Sequence, residues 1–231
     1  MEIFWRLLLA HMLGDFTLQT NRIAVWKRES VWGMLAHSSI FLIAGYVFTW
    51  NYLNDTWFSF RSVELHGWEC IVIITVLHFL EDQWRVYSIQ KFGMPDNLAL
   101  FLWDQFIHIS LIYVFSPVHV SVFLNPWPII GVLAIMATHF MAILVFYIEM
   151  DAKKGNGALH KVRKHWTMAV RLVLMAMCLL PGISWFLVLP VAGFTGYFFQ
   201  YKKQNYGLID TVLGNGIAVV CGITTRLLLK W

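Results

Sequence analysis

The stretch Asn97–Pro117, NLALFLWDQFIHISLIYVFSP, decides the class of this chain. A helix of that length is about 30 Å long, the thickness of a bilayer's hydrocarbon core. Asp104 and His108, with Gln105 and Ser110, interrupt its apolar character in mid-run. An aspartate there is costly to place in lipid, so it marks a site rather than a surface. His108 follows Asp104 by four residues, which puts both side chains on one helix face, a turn apart.

Two more apolar runs repeat the spacing, with His11 before Asp15 and His78 before Asp82. Chance alone, with 9 His and 13 acids in 231 residues, gives about one such pair. Among aspartates inside apolar runs only Asp210 is left over.

The chain as a whole fits this reading. It is 59% hydrophobic and 13% charged, against about 25% charged for a soluble domain. Mean hydropathy is +0.64. The expected fold class is all-α, a polytopic transmembrane helical bundle forming one domain, with His/Asp-bearing helices over 1–117 and further membrane helices over 118–231. The net charge of +4 is spread over loops, which suits membrane orientation and excludes a nucleic-acid-binding stripe. Cys70, Cys178 and Cys221 lie in or beside apolar runs without CxxC spacing and read as inert thiols. The N-terminus lacks a charged leader and a small-residue cleavage site, so it reads as a retained membrane segment.

Eight apolar runs are long enough to span, roughly 2–19, 31–51, 68–85, 97–117, 127–149, 165–182, 183–201 and 207–229. Pro181-Gly182 alone divides the sixth from the seventh, so the expected count is seven or eight. Gly214-Asn215-Gly216 lies within the last run and reads as helix packing rather than a phosphate loop. Lysines and arginines alternate between loops. The odd-numbered loops carry Arg22, Lys27 and Arg28, then Arg85 and Lys91, then Lys153, Lys154, Lys161, Arg163 and Lys164, then Lys202 and Lys203. The even-numbered ones are poor in them. The positive-inside rule makes the odd loops cytoplasmic and turns both termini outward, as in a multi-pass protein of the bacterial inner membrane.

Depth then ties the pairs together. Counted from the cytoplasmic ends, His11, Asp15, His37, His78, Asp82, Asp104 and His108 all lie roughly 5–16 Å below that edge. Separate hydrogen bonds need no common level, whereas a joint site does. Imidazole and carboxylate are ligands for divalent zinc, manganese or iron, and seven candidates exceed the need of one four-coordinate ion, so one or two ions are expected. Some of the aspartates can instead orient histidine rings. Glu81, three residues after His78, reads as a ligand, a general base or a rim group near the cytosol. Proton relays and ion pathways use the same residue types, and a lone His37 is as well explained by interhelical hydrogen bonding.

Other polar residues carry less. His139 and Arg171 share the depth band, and Arg171 can receive an anion or pair with an aspartate. Gln19, Thr20 and Asn21 read as helix-end groups. His160 and His165 lie in a basic loop suited to anionic lipid, and His66 and His119 in outward loops.

The opening LLLAHMLGDFTLQTNRIAVWKRESVWGMLAH, with HFLEDQWR and FLWDQFIH after it, resembles the domain of unknown function 3307 family of small bacterial and phage integral membrane proteins. The likeness rests on His11, Gly14, Asp15, Phe16, Leu18, Gln19 and Thr20, then on His78, Asp82, Asp104, Gln105 and His108, and covers about the first 117 residues. It implies membrane location and a shared polar constellation, and no activity.

The expected function is a metal-dependent membrane hydrolase of an amphiphilic or phosphorylated, anionic small molecule, with membrane lipids around it. Its metal ligands are His11, Asp15, His37, His78, Asp82, Asp104 and His108; Glu81 serves as base and Arg171 as anion holder. The alternative is a cation or proton transporter built on the same groups.

Overall fold

The computed structural model describes residues 1–117, 125–152, 164–182, 184–198 and 208–230, and these are mostly helical. The chain divides into two compact units, Met1–Ile129 and Ile130–Trp231.

In the first unit α1 (Glu2–Met12) runs on into one π turn, Leu13–Thr17. A short polar helix follows, α2 (Asn21–Glu29), capped by the Thr20 hydroxyl, which accepts from Ile23 N at 3.3 Å. Ser30 then caps α3 (Val31–Phe48), its hydroxyl accepting from Trp32 N at 3.2 Å. Both caps satisfy N–H groups that a helix start leaves unpaired. Gly33 lets α2 lie directly on the start of α3, because a Cβ there would collide with the Trp26 carbonyl group. A hairpin, β1 (Thr56–Phe60) with β2 (Val63–His66), leads into α4 (Gly67–Phe92). Trp57 is buried against Gly67, where a Cβ would meet its indole at 2.5 Å. Helix α4 ends at Gly93, whose φ of 66° provides the left-handed closure. Asn97 caps α5 (Leu98–Phe115), its Oδ1 accepting from Leu100 N at 2.9 Å.

The first unit has an apolar core made by Ile3, Leu7, Ala10, Phe41, Trp57, Cys70, Ile71, Ile74 and Ile112. Outward, α3, α4 and α5 present Ile43, Val47, Val76, Leu80, Phe106 and Val114, each more than half exposed. An apolar exterior around buried polar groups is the arrangement lipid demands.

The second unit starts within one continuous apolar helix, Pro126–Ala152, made of α6 (Pro126–Ile135), a π turn Met136–Phe140 and α7 (Met141–Ala152). It continues with α8 (Lys164–Met177), α9 (Ser184–Tyr197) and α10 (Leu208–Leu228). Ala137, Leu174, Met175, Ala218 and Cys221 form its core. Gly222 allows α10 close to α8, since a Cβ there would stand 2.8 Å from the Met175 carbonyl oxygen. Arg226 donates to the carbonyls of Cys178 at 3.1 Å and Leu180 at 2.6 Å, closing the end of α8. All three cysteines are buried and free.

Two expectations are corrected. Among the described residues four helices, not seven or eight, are long and apolar enough to cross a membrane: Val31–Phe48, Leu98–Phe115, Pro126–Ala152 and Ile209–Leu228. The first run leaves α geometry at Leu13, within reach of Asp15 and the polar groups after it. The sixth and seventh runs give helices of only 14 residues each, about 21 Å. Helix α4 has the length, at 26 residues, but Glu81, Asp82 and Arg85 dilute its apolar stretch. The other correction is the hairpin, which places two short strands in a chain read as all helix. The basic loop over Lys153–Arg163, with His160, and the loop holding His119 lie outside the described residues.

Candidate metal centre

Helices α3, α4 and α5 each bury one stripe at three- and four-residue steps, α1 is buried on all sides from Leu7 to Met12, and all four carry buried polar groups at one level. The buried residues on α1 and its π turn include Ile3, Leu7, Ala10, His11 and Asp15; the stripe on α3 has Phe41 then His37; on α4, Ile71, Ile74, His78, Asp82; on α5, Ile112, His108, Asp104. The apolar parts make the core of the unit. The polar parts meet beside it, so the helix periodicity that builds the core also builds the site.

The π turn in α1 is part of this construction. Leu18 N bonds to Leu13 O at 2.8 Å, five residues back, which widens the helix where Asp15 sits. Such turns recur at functional sites. Asp15 Oδ1 thereby stands 3.7 Å from His11 Nδ1, 3.5 Å from His37 Nε2 and 3.6 Å from His78 Nε2, while its Oδ2 is 3.9 Å from His108 Nδ1. One carboxylate therefore faces four imidazoles from four helices. Asp82 Oδ2 lies 3.0 Å from His37 Nε2 and 3.6 Å from His78 Nε2. Glu81 Oε2 lies 3.1 Å from His108 Nε2. The His78 ring is held between Phe41, stacked at 5.8 Å, and His108, whose ring centre is 4.1 Å away.

Many of these atoms converge without bonding to one another. His11 Nδ1, Asp15 Oδ1, Asp104 Oδ1 and His108 Nδ1 are buried with no hydrogen-bond partner. Buried polar atoms are nearly always satisfied, so a cluster of orphans is a place where something binds. Three groups bring one ligand atom per residue to within 4.8 Å of one another: His11, Asp15, His78 and His108; His37, His78 and Asp82; and Glu81, Asp82, Asp104 and His108. The donor set of imidazole and carboxylate is the one divalent zinc, manganese or iron takes. These buried groups can hold a metal ion. The second and third groups share only Asp82, whose two oxygens can serve one ion each.

Three residues that the spacing argument did not single out complete the site. Lys27 Nζ reaches Asp82 at 3.2 and 3.4 Å and His37 Nε2 at 3.3 Å. Arg85 donates to Asp104 Oδ2 at 3.2 Å and to Asp96 Oδ1 at 2.9 Å. Gln105 donates to Asp104 Oδ2 at 2.9 Å, and its Oε1 lies 3.1 Å from His11 Nε2. Lys27 and Arg85 counted only as orientation charges in the sequence, because nothing local shows that α2 folds back over α3.

Arg171, the expected anion holder, lies in the second unit and is wholly buried, with its guanidinium on the Asp210 carboxylate. Gly214 leaves room for it, since a Cβ there would collide with the guanidinium. The leftover intramembrane Asp210 thus has a partner. His139 sits in the π turn of the second unit, 3.3 Å from Thr138 Oγ1. Thr20 is a helix cap as read, and His66 and His165 are exposed.

The fold and site together define a helical protein with membrane-length apolar helices and a buried histidine–carboxylate cluster fit for a divalent ion. Residues 3–130, more than half of the chain, match the family described as protein of unknown function (DUF3307). The chain belongs to that family. No curated protein and no solved structure matches the chain.

Proposed function

We propose that the protein is a multi-pass inner-membrane enzyme, a metal-dependent hydrolase of a phosphorylated amphiphile. The observation that carries this reading is the dead end of the cluster. On one side it is sealed by Leu7, Phe41, Ile71, Ile74 and Ile112, all 2% exposed or less. On the other it meets Lys27, Arg85 and a small cavity. A transit path needs polar groups on both sides, whereas a catalytic pocket needs one opening.

Orientation follows from charge. The site end of the first unit carries Arg22, Lys27, Arg28, Arg85 and Lys91. The opposite end holds Arg6, paired with Glu2 at 2.5 Å, and the hairpin with Arg61, Asp55 and Glu64. The positive-inside rule sets the site toward the cytoplasm. Helix α4 then crosses as well, because its Glu81 and Asp82 are turned inward and cost nothing against lipid.

In this scheme His11, Asp15, His78 and His108 would hold one ion, and Asp82, Asp104 and His37 would serve it or a second. The metal supplies Lewis acidity and a water nucleophile at neutral pH. Glu81, 11% exposed and 3.1 Å from His108, takes the proton from the attacking water. Gln105 and Arg85 fix the Asp104 carboxylate. The apolar core keeps bulk water on one side only.

The test is phosphate release from phosphatidate in mixed micelles by the purified full chain, with zinc, manganese or chelator. Release that needs the metal and is lost in Glu81→Gln supports the enzyme. Metal uptake by proteoliposomes without hydrolysis would replace it with the transporter.

A further inference from the structure

The cavity at the polar end of the cluster has a volume of about 60 Å³, and its walls include Lys27, Arg28, Asp82 and Arg85, with Val86 and Ile89 beside them. About 10–15 Å³ of such space holds one water, so this is room for several waters or one small tetrahedral anion. We propose that Lys27 and Arg28, with Arg85 beside them, form a subsite for a phosphate-type group that is switched on when a divalent ion takes Asp82. This rests on the metal reading above and adds the ligand class and the order of binding.

The charge count shows why the subsite needs switching. As the side chains stand, the three cations are matched by three carboxylates. Lys27 lies on Asp82, Arg28 on Asp96 at 3.2 Å, and Arg85 on both Asp96 and Asp104. Each cation at the cavity is therefore already engaged by a carboxylate. Lys27 also sits where an ion would. Its ammonium is 3.2 Å from Asp82 and 3.3 Å from His37 Nε2, two of the three ligands in the His37, His78, Asp82 group. A dication bonded to those atoms repels an ammonium so close in a low-dielectric site. Lys27 has a way out, since the cavity it lines adjoins it. Once swung there it joins Arg28 with no acid committed to it, and the balance becomes positive.

The backbone suits this task. Helix α2 carries Arg22, Lys27 and Arg28 and has no buried side chain. It is held at its close contact with Gly33 and by Gln90, which donates to the Arg28 carbonyl at 2.7 Å. That leaves its long side chains free to choose between the cluster and the cavity. Around this mouth Leu18, Val25, Trp26, Trp32 and Phe92 are exposed, a suitable surround for the tail of an amphiphile. Linkage makes the coupling reciprocal: the metal tightens the anion, and the anion tightens the metal by the same factor.

Titration calorimetry on the full chain in micelles, with manganese and inorganic phosphate as probes, tests this. Wild type should bind phosphate about tenfold more tightly with manganese than with chelator. Lys27→Gln should move the two ligands in opposite directions: manganese binds about tenfold more tightly, and the manganese-linked gain in phosphate affinity disappears. Lys27→Arg should keep the gain. Arg28→Gln, at an exposed position, should weaken phosphate and leave manganese unchanged. In phosphatidylcholine nanodiscs, added phosphatidic acid that displaces inorganic phosphate identifies a lipid headgroup as the source of the anion; no displacement identifies a free phosphate compound. Manganese bound by wild type but unaltered by Lys27→Gln, or phosphate binding indifferent to manganese, overturns this inference alone. No manganese binding in any variant overturns the metal reading beneath it.

Discussion

Replacing His78 by phenylalanine separates ligation from packing. His78 is shared by two of the three ligand groups. Its ring also fills space between Phe41 and His108, so alanine would remove both a ligand and a wall. Phenylalanine keeps a ring against Phe41 and deletes only the nitrogens. Four-ligand zinc sites are worth about 10–16 kcal/mol, or about 2.5–4 kcal/mol per ligand. At about 1.4 kcal/mol per decade, one ligand is worth about 60- to 700-fold in affinity. The His11, Asp15, His78, His108 group drops from four ligands to three, and the His37, His78, Asp82 group from three to two. Competition with a graded series of chelators reads the affinity. Thermal unfolding in detergent reads the fold: with chelator present, the variant should melt within a few degrees of wild type. With zinc at about 1,000 times the wild-type Kd, only wild type should gain the roughly 4 kcal/mol that mass action gives. A variant that holds zinc as tightly as wild type would refute the assignment of this cluster as ligands. A large loss of melting temperature without metal would mean that the cluster serves packing.

Further outcomes follow from other contacts. Gly33→Leu drives a side chain into the Trp26 carbonyl, so it should cost about 1–3 kcal/mol and withdraw Lys27 from Asp82, seen as a lower melting temperature. Asp210→Asn strands the buried Arg171 and should cost about 3–5 kcal/mol, most of it recovered in the double variant Arg171→Met with Asp210→Leu; a melting series of wild type and the two variants checks it. Cysteines placed at Asn125 and Asn156 should label from outside and from the cytoplasm respectively, in accord with the lysine and arginine distribution, and outside labelling at 156 would reverse the orientation.

The histidine–aspartate pairs were legible because a helix converts a spacing of four into a shared face without help from the rest of the chain. His11, His37, His78 and His108 share a level for a related reason: rise per residue is constant, so distance from a helix end is already depth. What was not legible depends on contacts between distant residues. Lys27 reaches Asp82 across 55 positions only because Gly33 admits α2. Arg171 finds Asp210 across 39 positions by a similar allowance at Gly214. The number of spans was overread because hydropathy runs continue through helix breaks. The run from residue 2 carries on past the π turn at Leu13, and the runs at 165–182 and 183–201 include turn residues around Pro181. The hairpin at Thr56–His66 was missed because its strands are only five and four residues long and lie between two long apolar helices.

Whether an ion sits among these four helices is the question on which everything else depends. Anomalous diffraction at the zinc edge, from crystals of the full chain grown with zinc, answers it directly. The account predicts a peak bonded at about 2.0–2.2 Å to atoms of His11, Asp15, His78 and His108. Those side chains closed on one another and on water, with zinc absent or bound only at surface histidines such as His66 and His165, would contradict it.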